Sequence, residues 1–417
     1  MLVSLFMVST FLTLLTFSMY VLTCAFYKFL RPVYPAKLAD RDLPFVSICV
    51  PARNEEKKIA RCLDSLISQN YPSFEIIVVD DRSTDATAEI IESFVAKDAR
   101  VKLVRGKDTP SGWIGKCNAL AHAVGYASGD WFAFTDADTF HQPNSIRDAV
   151  CHGLTNKADL VSFMPMQELG SFPERLVMPL LLGSFLLGDP FHSVNDPAAQ
   201  RAYAYGQYII TRRSSYLAVG GHQSVRDEIL EDHALSRVFK EKGYRILVGD
   251  GKSLYSVRMY TDLESMWQGW TKNLYSLIES RIGNLFLVLF LINSTILYPF
   301  VQVPVLIQLF VGGESPATLQ ILAIPVLLQL LVVYLWYRKT SEHHAGIGPK
   351  QFFLLPFGAL AVSVLYLHAS FLVLSGGQVN WKGRRYTVNT FKTIQPRSKQ
   401  SLDPALDTVL GQDRADL

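Results

Sequence analysis

A chain of 417 residues is long enough for two or three units, and 49% hydrophobic residues with a mean hydropathy of +0.18 is high for a purely soluble protein. Its formal net charge of +3 is too small to direct it to nucleic acid. The five cysteines (Cys24, Cys49, Cys62, Cys117, Cys151) show neither metal-ligand spacing nor a C-x-x-C pair, which fits a reducing compartment.

The apolar excess lies at the two ends. Met1 to Tyr27 carries no charge, and neither do Ile282 to Gly313, Ser315 to Tyr337 or Gln351 to Trp381; each exceeds the roughly 20 apolar residues a membrane helix needs. The first stretch lacks the basic n-region and small-residue cleavage site of a secretory signal, so residues 1–30 read as a retained anchor. Lys28, Arg31 and Lys37 follow at once, and the positive-inside rule then puts the N-terminus outside and the charged segment 45–260 in the cytoplasm. A multi-pass protein of the inner or plasma membrane is expected.

Phe45 to Val50 predicts a buried strand, and Pro51-Ala52-Arg53-Asn54-Glu55-Glu56 leads into a helix with Ile59, Leu63, Leu66 and Ile67 on one face. A second strand, Glu75 to Val79, ends at Asp80-Asp81, after which Ser83 and Thr84 offer N-caps to a helix reaching Ala96. Val101 to Val104 reads as a third strand, Lys116 to Ala127 as a helix and Asp130 to Thr135 as a fourth strand. This alternation predicts an α/β fold with a mostly parallel sheet covered on both faces. Ligands bind at the carboxyl edge of such sheets, which here collects Pro51 to Glu55, Asp80-Asp81 and Asp136-Ala137-Asp138. Two carboxylates at i and i+2 can hold a hard divalent cation such as Mg²⁺, which completes its shell with phosphate and water, although most such triplets are plain solvated turns. An acidic rim admits a nucleotide only through a metal and through base and ribose contacts. No G-x-G-x-x-G follows the first strand and there is no Walker A lysine motif, against a dinucleotide oxidoreductase or a P-loop ATPase.

Within Met164 to Gln207, the run Leu176 to Leu187 is short and interrupted by Pro179; it either packs on the core or dips into the bilayer. A helix from Asp232 to Lys242 has Ala234, Leu235, Val238 and Phe239 on one face and Gly243 at its end. Glu231 and Asp232 at its start suit the helix dipole, and His233 reads as an exposed helical residue. Residues 261–281 predict an amphipathic helix lying on the bilayer. The region 282–376 is expected to span the membrane with almost no polar residue except His368, and 377–417 holds a basic motif and a solvated tail. Three spans after the cytoplasmic segment leave the tail outside, against its basic residues, so one stretch is re-entrant or paired, with Ile282 to Gly313 the candidate.

Taken in order, Pro51-Ala52-Arg53-Asn54-Glu55, Asp80-Asp81-x-Ser83-x-Asp85-x-Thr87, Gly115-Lys116-x-Asn118-Ala119-Leu120, Asp136-Ala137-Asp138 and Glu231-Asp232 resemble the inverting family 2 glycosyltransferases, which share the Rossmann-like GT-A fold. The resemblance covers Phe45 to Ile282. Gly112-Trp113-Ile114-Gly115-Lys116, Gly269-Trp270-Thr271-Lys272-Asn273 and Trp381-Lys382-Gly383-Arg384-Arg385-Tyr386 are similar to the membrane-bound members associated with carotenoid, hopanoid and other lipid acceptors.

The resemblance implies transfer of a single sugar, with inversion, from a nucleotide-diphosphate sugar to the hydroxyl or carboxyl of a lipid. It implies Asp138 as main ligand of Mg²⁺ or Mn²⁺, with Asp136 on the metal or the ribose, and Glu55 and Asp81 on base and ribose. Pro51, Arg53, Asn54, Asp80, Lys116 and Asn118 fall on the donor side, and Asp232, beside Glu231, is the base that takes the acceptor proton. A metal at the leaving diphosphate plus one base gives a single displacement, unlike the paired carboxylates of glycosidases. Plainer readings stand beside these: Asp80 and Asp85 as turn and cap residues, Lys116 as a surface lysine, Glu231 and Asp232 as dipole partners. The Gln-x-x-Arg-Trp motif of processive synthases is replaced by Gln268-Gly269-Trp270-Thr271-Lys272. Trp267 or Trp270 then presents a flat face to a sugar or lipid headgroup or anchors at the interface, and Lys272 approaches the diphosphate, as do Trp381 and Arg384 by likeness to a synthase gating loop. A processive polysaccharide synthase, or a multi-pass transporter or scaffold with a degenerate nucleotide-binding domain, is the alternative.

Overall fold

The computed structural model describes residues 2–33, 38–185, 191–277, 282–375, 378–381 and 384–387. The described residues divide into two compact units, one drawn from 32–165 and 197–257, the other from 2–31, 166–196 and 258–387. Residues 166–196, which the sequence reading placed within 45–260, thus fold with the apolar ends.

In the first unit lie seven strands of an eight-stranded sheet: β1 (Val46–Ala52), β2 (Phe74–Asp80), β3 (Val101–Arg105), β4 (Trp131–Thr135), β5 (Leu160–Met164), β6 (Tyr208–Arg212) and β7 (Ile246–Asp250). Their order in space is β7-β5-β6-β4-β1-β2-β3. β4, β1, β2 and β3 are mutually parallel, as are β5 and β7. Burial of nearly every residue of β1, β2, β4 and β5 matches strands covered on both faces. β6, which the sequence reading did not expect, runs antiparallel to both β4 and β5 and pairs Tyr208 with Thr135. Its first residues therefore arrive at the carboxyl edge, where the parallel strands end.

The four expected strands and the helices Ile59–Ile67, Gly115–Gly125 and Glu231–Glu241 stand within about two residues of their expected places, the usual scatter of element ends. The helix after β2 starts at Thr87, not at Ser83 or Thr84. Asp85 Oδ1 takes the Thr87 amide at 3.1 Å, whereas Ser83 Oγ and the Thr84 amide are tied across to Asn54.

In the second unit, four stretches are long and apolar enough to cross a membrane: Leu2–Lys28, Gly283–Val311, Pro316–His343 and Pro349–Leu372. Large apolar side chains such as Phe11, Phe286, Leu327 and Phe371 point outward from them. Gly283–Val311 passes Pro299 and Pro304 as one helix with a π turn at Asn293–Leu297, so it is not a paired hairpin. Polar side chains occur inside these helices and several bond one another, contrary to the expectation of almost none. Gln329 Nε2 donates to Thr16 Oγ1 and to the Ser294 carbonyl, each at 3.0 Å, and Asn293 Nδ2 donates to Ser363 Oγ at 2.9 Å. Thr13 Oγ1 meets the Pro325 carbonyl at 2.8 Å, Thr16 meets Gln329, and Tyr27 stacks on His343 at 4.8 Å. Numbers rise together on both sides, so helices Leu2–Phe29 and Pro316–Thr340 run in the same direction.

Helix Phe172–Phe185 buries Val177, Met178, Leu180 and Leu181 within this unit. Gly358 lets it pass closely, since a Cβ there would collide with the Leu176 carbonyl.

Candidate active site

Two loops at the carboxyl edge are stitched together by backbone and side-chain bonds. Arg53 Nη1 donates to the carbonyls of Asp81 (2.6 Å) and Arg82 (3.1 Å), and the Asp81 amide donates to the Ala52 carbonyl at 2.7 Å. The Asn54 amide donates to Ser83 Oγ, Asn54 Oδ1 accepts from the Thr84 amide, and the Glu55 amide donates to Thr87 Oγ1. Asn54 (φ 51°) and Arg82 (φ 58°) adopt the left-handed conformation that non-glycine residues resist, and these cross-bonds hold them in it. Glu55, Asp80 and Asp81 are buried. Asp80 accepts from Arg105 and from the Ser83 amide, a turn role. Burial works against the charge of Asp85, but the hydroxyl and amide of Thr87 and the amide of Glu56 keep its carboxyl below the usual range.

Beyond β4, Asp136 and Asp138 are each met by an ammonium group. Lys116 Nζ lies 2.8 Å from Asp136 Oδ1 and 2.8 Å from Glu231 Oε1. Lys58 Nζ lies 3.5 Å from Asp138 Oδ2 and 3.9 Å from Glu55 Oε2. Lys116 is therefore no surface lysine: burial opposes its charge, yet Asp136, Glu231 and Asp232 hold its affinity for the proton well above the ordinary. Burial would likewise raise Glu231, but Lys116 keeps it low. Asp232 goes the other way, pushed up by burial and then by the neighbouring Glu231. Its Oδ2 accepts from the Gly206 amide at 2.6 Å and its Oδ1 from the His233 amide at 2.9 Å. The elements carrying Asp136, Lys116 and Glu231-Asp232 thus meet at Lys116.

A polar cluster supports the turn from below. Thr139 Oγ1 donates to the Asp136 carbonyl at 2.8 Å; His141 Nε2 lies 2.9 Å from Thr135 Oγ1 and 3.2 Å from Thr139 Oγ1, and its Nδ1 lies 3.1 Å from Ser145 Oγ. Burial takes the His141 imidazole down to about 3, so it is neutral.

Pro51, last but one in β1, pairs with Val79, and Asn118 stands half-buried in the first turn of helix Gly115–Gly125. Gln268, Trp270 and Lys272 belong to the apolar unit, on helix Leu263–Leu277. Trp270 presents no face there: it is buried and donates from Nε1 to Met178 Sδ at 3.1 Å, because the helix turns that side into the unit's core. Trp267 is half-buried and donates to His368 Nδ1, and Gln268 bonds Glu264 one turn back. Trp381 and Arg384 pair in the short ladder Gln378–Trp381/Arg384–Thr387; Lys382 and Gly383 lie outside the described residues. His233 is half-buried against Tyr203, not exposed.

Lys58, His141, Gly206 and Gln207 were not singled out from the sequence. Lys58 had a signal, standing three residues after Glu55 at a helix entry; the others are recognisable only through partners distant in the chain.

Asp136 and Asp138 supply two hard oxygen donors in one turn, each neutralised here by an ammonium that a divalent cation would replace as counter-charge. Among the described residues no group of three or more His, Cys, Asp or Glu is arranged to hold a metal. Two carboxylates suit a cation that takes its remaining ligands from phosphate and water, so the donor set fits.

Residues 47–182 match the family model described as glycosyl transferase family 2. The chain is 31% identical over 242 residues to 4,4'-diaponeurosporenoate glycosyltransferase of Staphylococcus aureus strain USA300, covering 57% of this chain and 63% of that protein. It is 32% identical over 232 residues to the protein of the same name in strain N315, covering 55% and 60%. The chain thus spans less than two thirds of the length of these curated relatives. Among solved structures, the mannosyltransferase PcManGT from Pyrobaculum calidifontis, in complex with GDP-Man and Mn²⁺, superposes with a TM-score of 0.50 over 89% of this chain and 99% of that one. At 18% identity that likeness is one of fold, GT-A.

Proposed function

We propose, for a chain that carries a family 2 glycosyltransferase domain, that it moves one sugar from a nucleotide-diphosphate sugar onto a lipid whose apolar body stays in the bilayer, by a single inverting displacement that needs a divalent cation. The observation that carries this reading is the junction at Lys116, which draws Asp136 at the end of β4 and Glu231-Asp232 at a helix start to one ammonium group. A lipid acceptor is supported by the relatives named for diaponeurosporenoate and by the four long apolar helices. The Mn²⁺ and GDP-Man of the mannosyltransferase complex agree in kind with the donor set.

In this reading Asp138, with Asp136, would hold Mg²⁺ or Mn²⁺, which would offset the charge that develops on the departing diphosphate. Glu55 and Asp81 face base and ribose from the stitched loops. Lys116 bridges Asp136 and Glu231 and adds positive charge on the diphosphate side. Asp232 accepts the acceptor's proton, and the burial and like charge that raise its proton affinity make it a stronger base than a solvated aspartate. An acceptor carboxylate needs no base, so Asp232→Asn would then cost little, whereas with an alcohol acceptor it would cost much.

The absence of the Gln-x-x-Arg-Trp motif and the burial of Trp270 favour one addition over processive synthesis. The test is turnover in membranes supplied with UDP-glucose, UDP-N-acetylglucosamine or GDP-mannose, with lipids extracted and weighed by mass spectrometry. One hexose-type increment, lost on chelation and in Asp138→Asn, is expected. A ladder of increments would mean a synthase; no transfer from any donor would remove the enzymatic reading.

A further inference from the structure

The backbone of Gly206-Gln207 ties the two halves of the candidate site together. The Gln207 carbonyl accepts from the Asp136 amide at 3.3 Å and from Thr135 Oγ1 at 3.0 Å. One residue earlier, the Gly206 amide donates to Asp232 Oδ2 at 2.6 Å. On the far side, the Tyr205 amide donates to Ser162 Oγ at 2.6 Å, and Ser162 Oγ donates back to the Tyr205 carbonyl at 3.2 Å. Residues 205 and 207 are thus pinned to β5 and β4, and the peptide between them holds Asp232.

We infer that Gly206 is a positioning residue: its amide sets the Asp232 carboxylate at a fixed place relative to the Asp136–Asp138 turn, and a side chain at 206 would press on that carboxylate and displace it. The inference rests on the reading of Asp232 as the acceptor's base. A Cβ at 206 would lie 2.8 Å from Asp232 Oδ2 and 3.1 Å from its Cβ and Cγ. Gly206 is not among the residues of positive φ, so alanine meets no backbone objection there and acts through its methyl group alone. With both neighbours pinned, the side chain of Asp232 is what must yield. The antiparallel course of β6 is the cause: it delivers the strand's first residues, not its last, to the edge where the parallel strands end.

A shift of about 1 Å in a catalytic group can cost about 100-fold. Gly206→Ala, Asp232→Asn and the double variant are compared with whichever of UDP-glucose, UDP-N-acetylglucosamine and GDP-mannose is turned over. Gly206→Ala is expected to lower kcat roughly 10- to 100-fold with the donor KM little changed, and the double variant to be no slower than Asp232→Asn. Losses that multiply, or a KM that rises while kcat holds, overturn the inference. A second measurement is independent of turnover: amide hydrogen exchange of the peptide spanning 205–207 should speed up in Asp232→Ala while that of β1 stays unchanged. Equal exchange in wild type and Asp232→Ala overturns it. If Asp232→Asn retains full transfer, or no donor is used, the base assignment falls and the exchange result alone decides the tie.

Discussion

Lys116 occupies the first turn of a helix, where its charge meets the positive end of the dipole; two carboxylates at 2.8 Å outweigh that penalty. Lys116→Met leaves Glu231 buried without its counter-charge, so thermal stability should fall by about 3 kcal/mol, the range for breaking a buried pair, and Glu231→Gln added to it should recover part of the loss. Asp138→Asn differs in kind, because it removes charge from a crowd of acids that share Lys58 and Lys116. Transfer should drop by about 100-fold or more, at least the upper range for losing a metal site's supporting groups, with the melting temperature unchanged; an equal drop in melting temperature would make Asp138 structural. The place of Asp136 and Asp138 directly after β4 was legible because an apolar strand followed at once by carboxylates is a local pattern. Gly206 was not, since Asp232 is 26 positions away and no spacing announces that one peptide fills the gap.

At the scale of elements, the four parallel strands up to Thr135 could be read because they are short, mainly apolar runs alternating with helices of regular period; Leu160–Met164 and Ile246–Asp250, also parallel to each other, were not read. The direction of β6 could not: Tyr208 to Arg212 looks like any short strand, and its antiparallel course is set by pairing with β4 and β5 on either side. The start of the helix at Thr87 was misread for a related reason, since Ser83 and Thr84 spend their bonding capacity on Asn54 across the loop. Among the apolar helices, Gln329 links Thr16 to the Ser294 carbonyl while fully buried. Gln329→Leu should lower the melting temperature in detergent, with a cost of about 1 kcal/mol, typical for an interhelical hydrogen bond in a membrane. Thr16→Val alone should cost less, because Ser294 remains as partner.

For the whole molecule, acid is the predicted weakness. His141 and His222 are buried and neutral, with burial taking them down to about 3 and about 4. A histidine lowered in the folded state favours folding fully above its ordinary value near 6.5 and loses that contribution as pH falls towards the folded value, because the unfolded chain binds the proton first. Glu75 is driven up by burial but more than compensated by Lys102, Ser47 and Ser128, ending at about 2. Its contribution is present above about 4.5 and is lost as pH falls through about 2. Melting temperature should therefore begin to fall near pH 6 and steepen below pH 4.5; a flat profile down to pH 4.5 would mean that the histidines are not held neutral. None of this was visible in the sequence, where the nine histidines show no pattern and Glu75 reads as the polar first residue of a strand.

Because helices Leu2–Phe29 and Pro316–Thr340 head the same way, a bilayer enclosing both would release their carboxyl ends into one and the same water. The polypeptide resuming after residue 30 and that resuming after residue 343 are then neighbours in compartment, whatever the course of the helix that follows. In a Cys24→Ser background, thiols placed by Lys28→Cys and Ala345→Cys, both exposed positions, should be blocked by the same impermeant maleimide from the same side of sealed vesicles. Labelling from opposite sides would require those two helices to be antiparallel in the membrane.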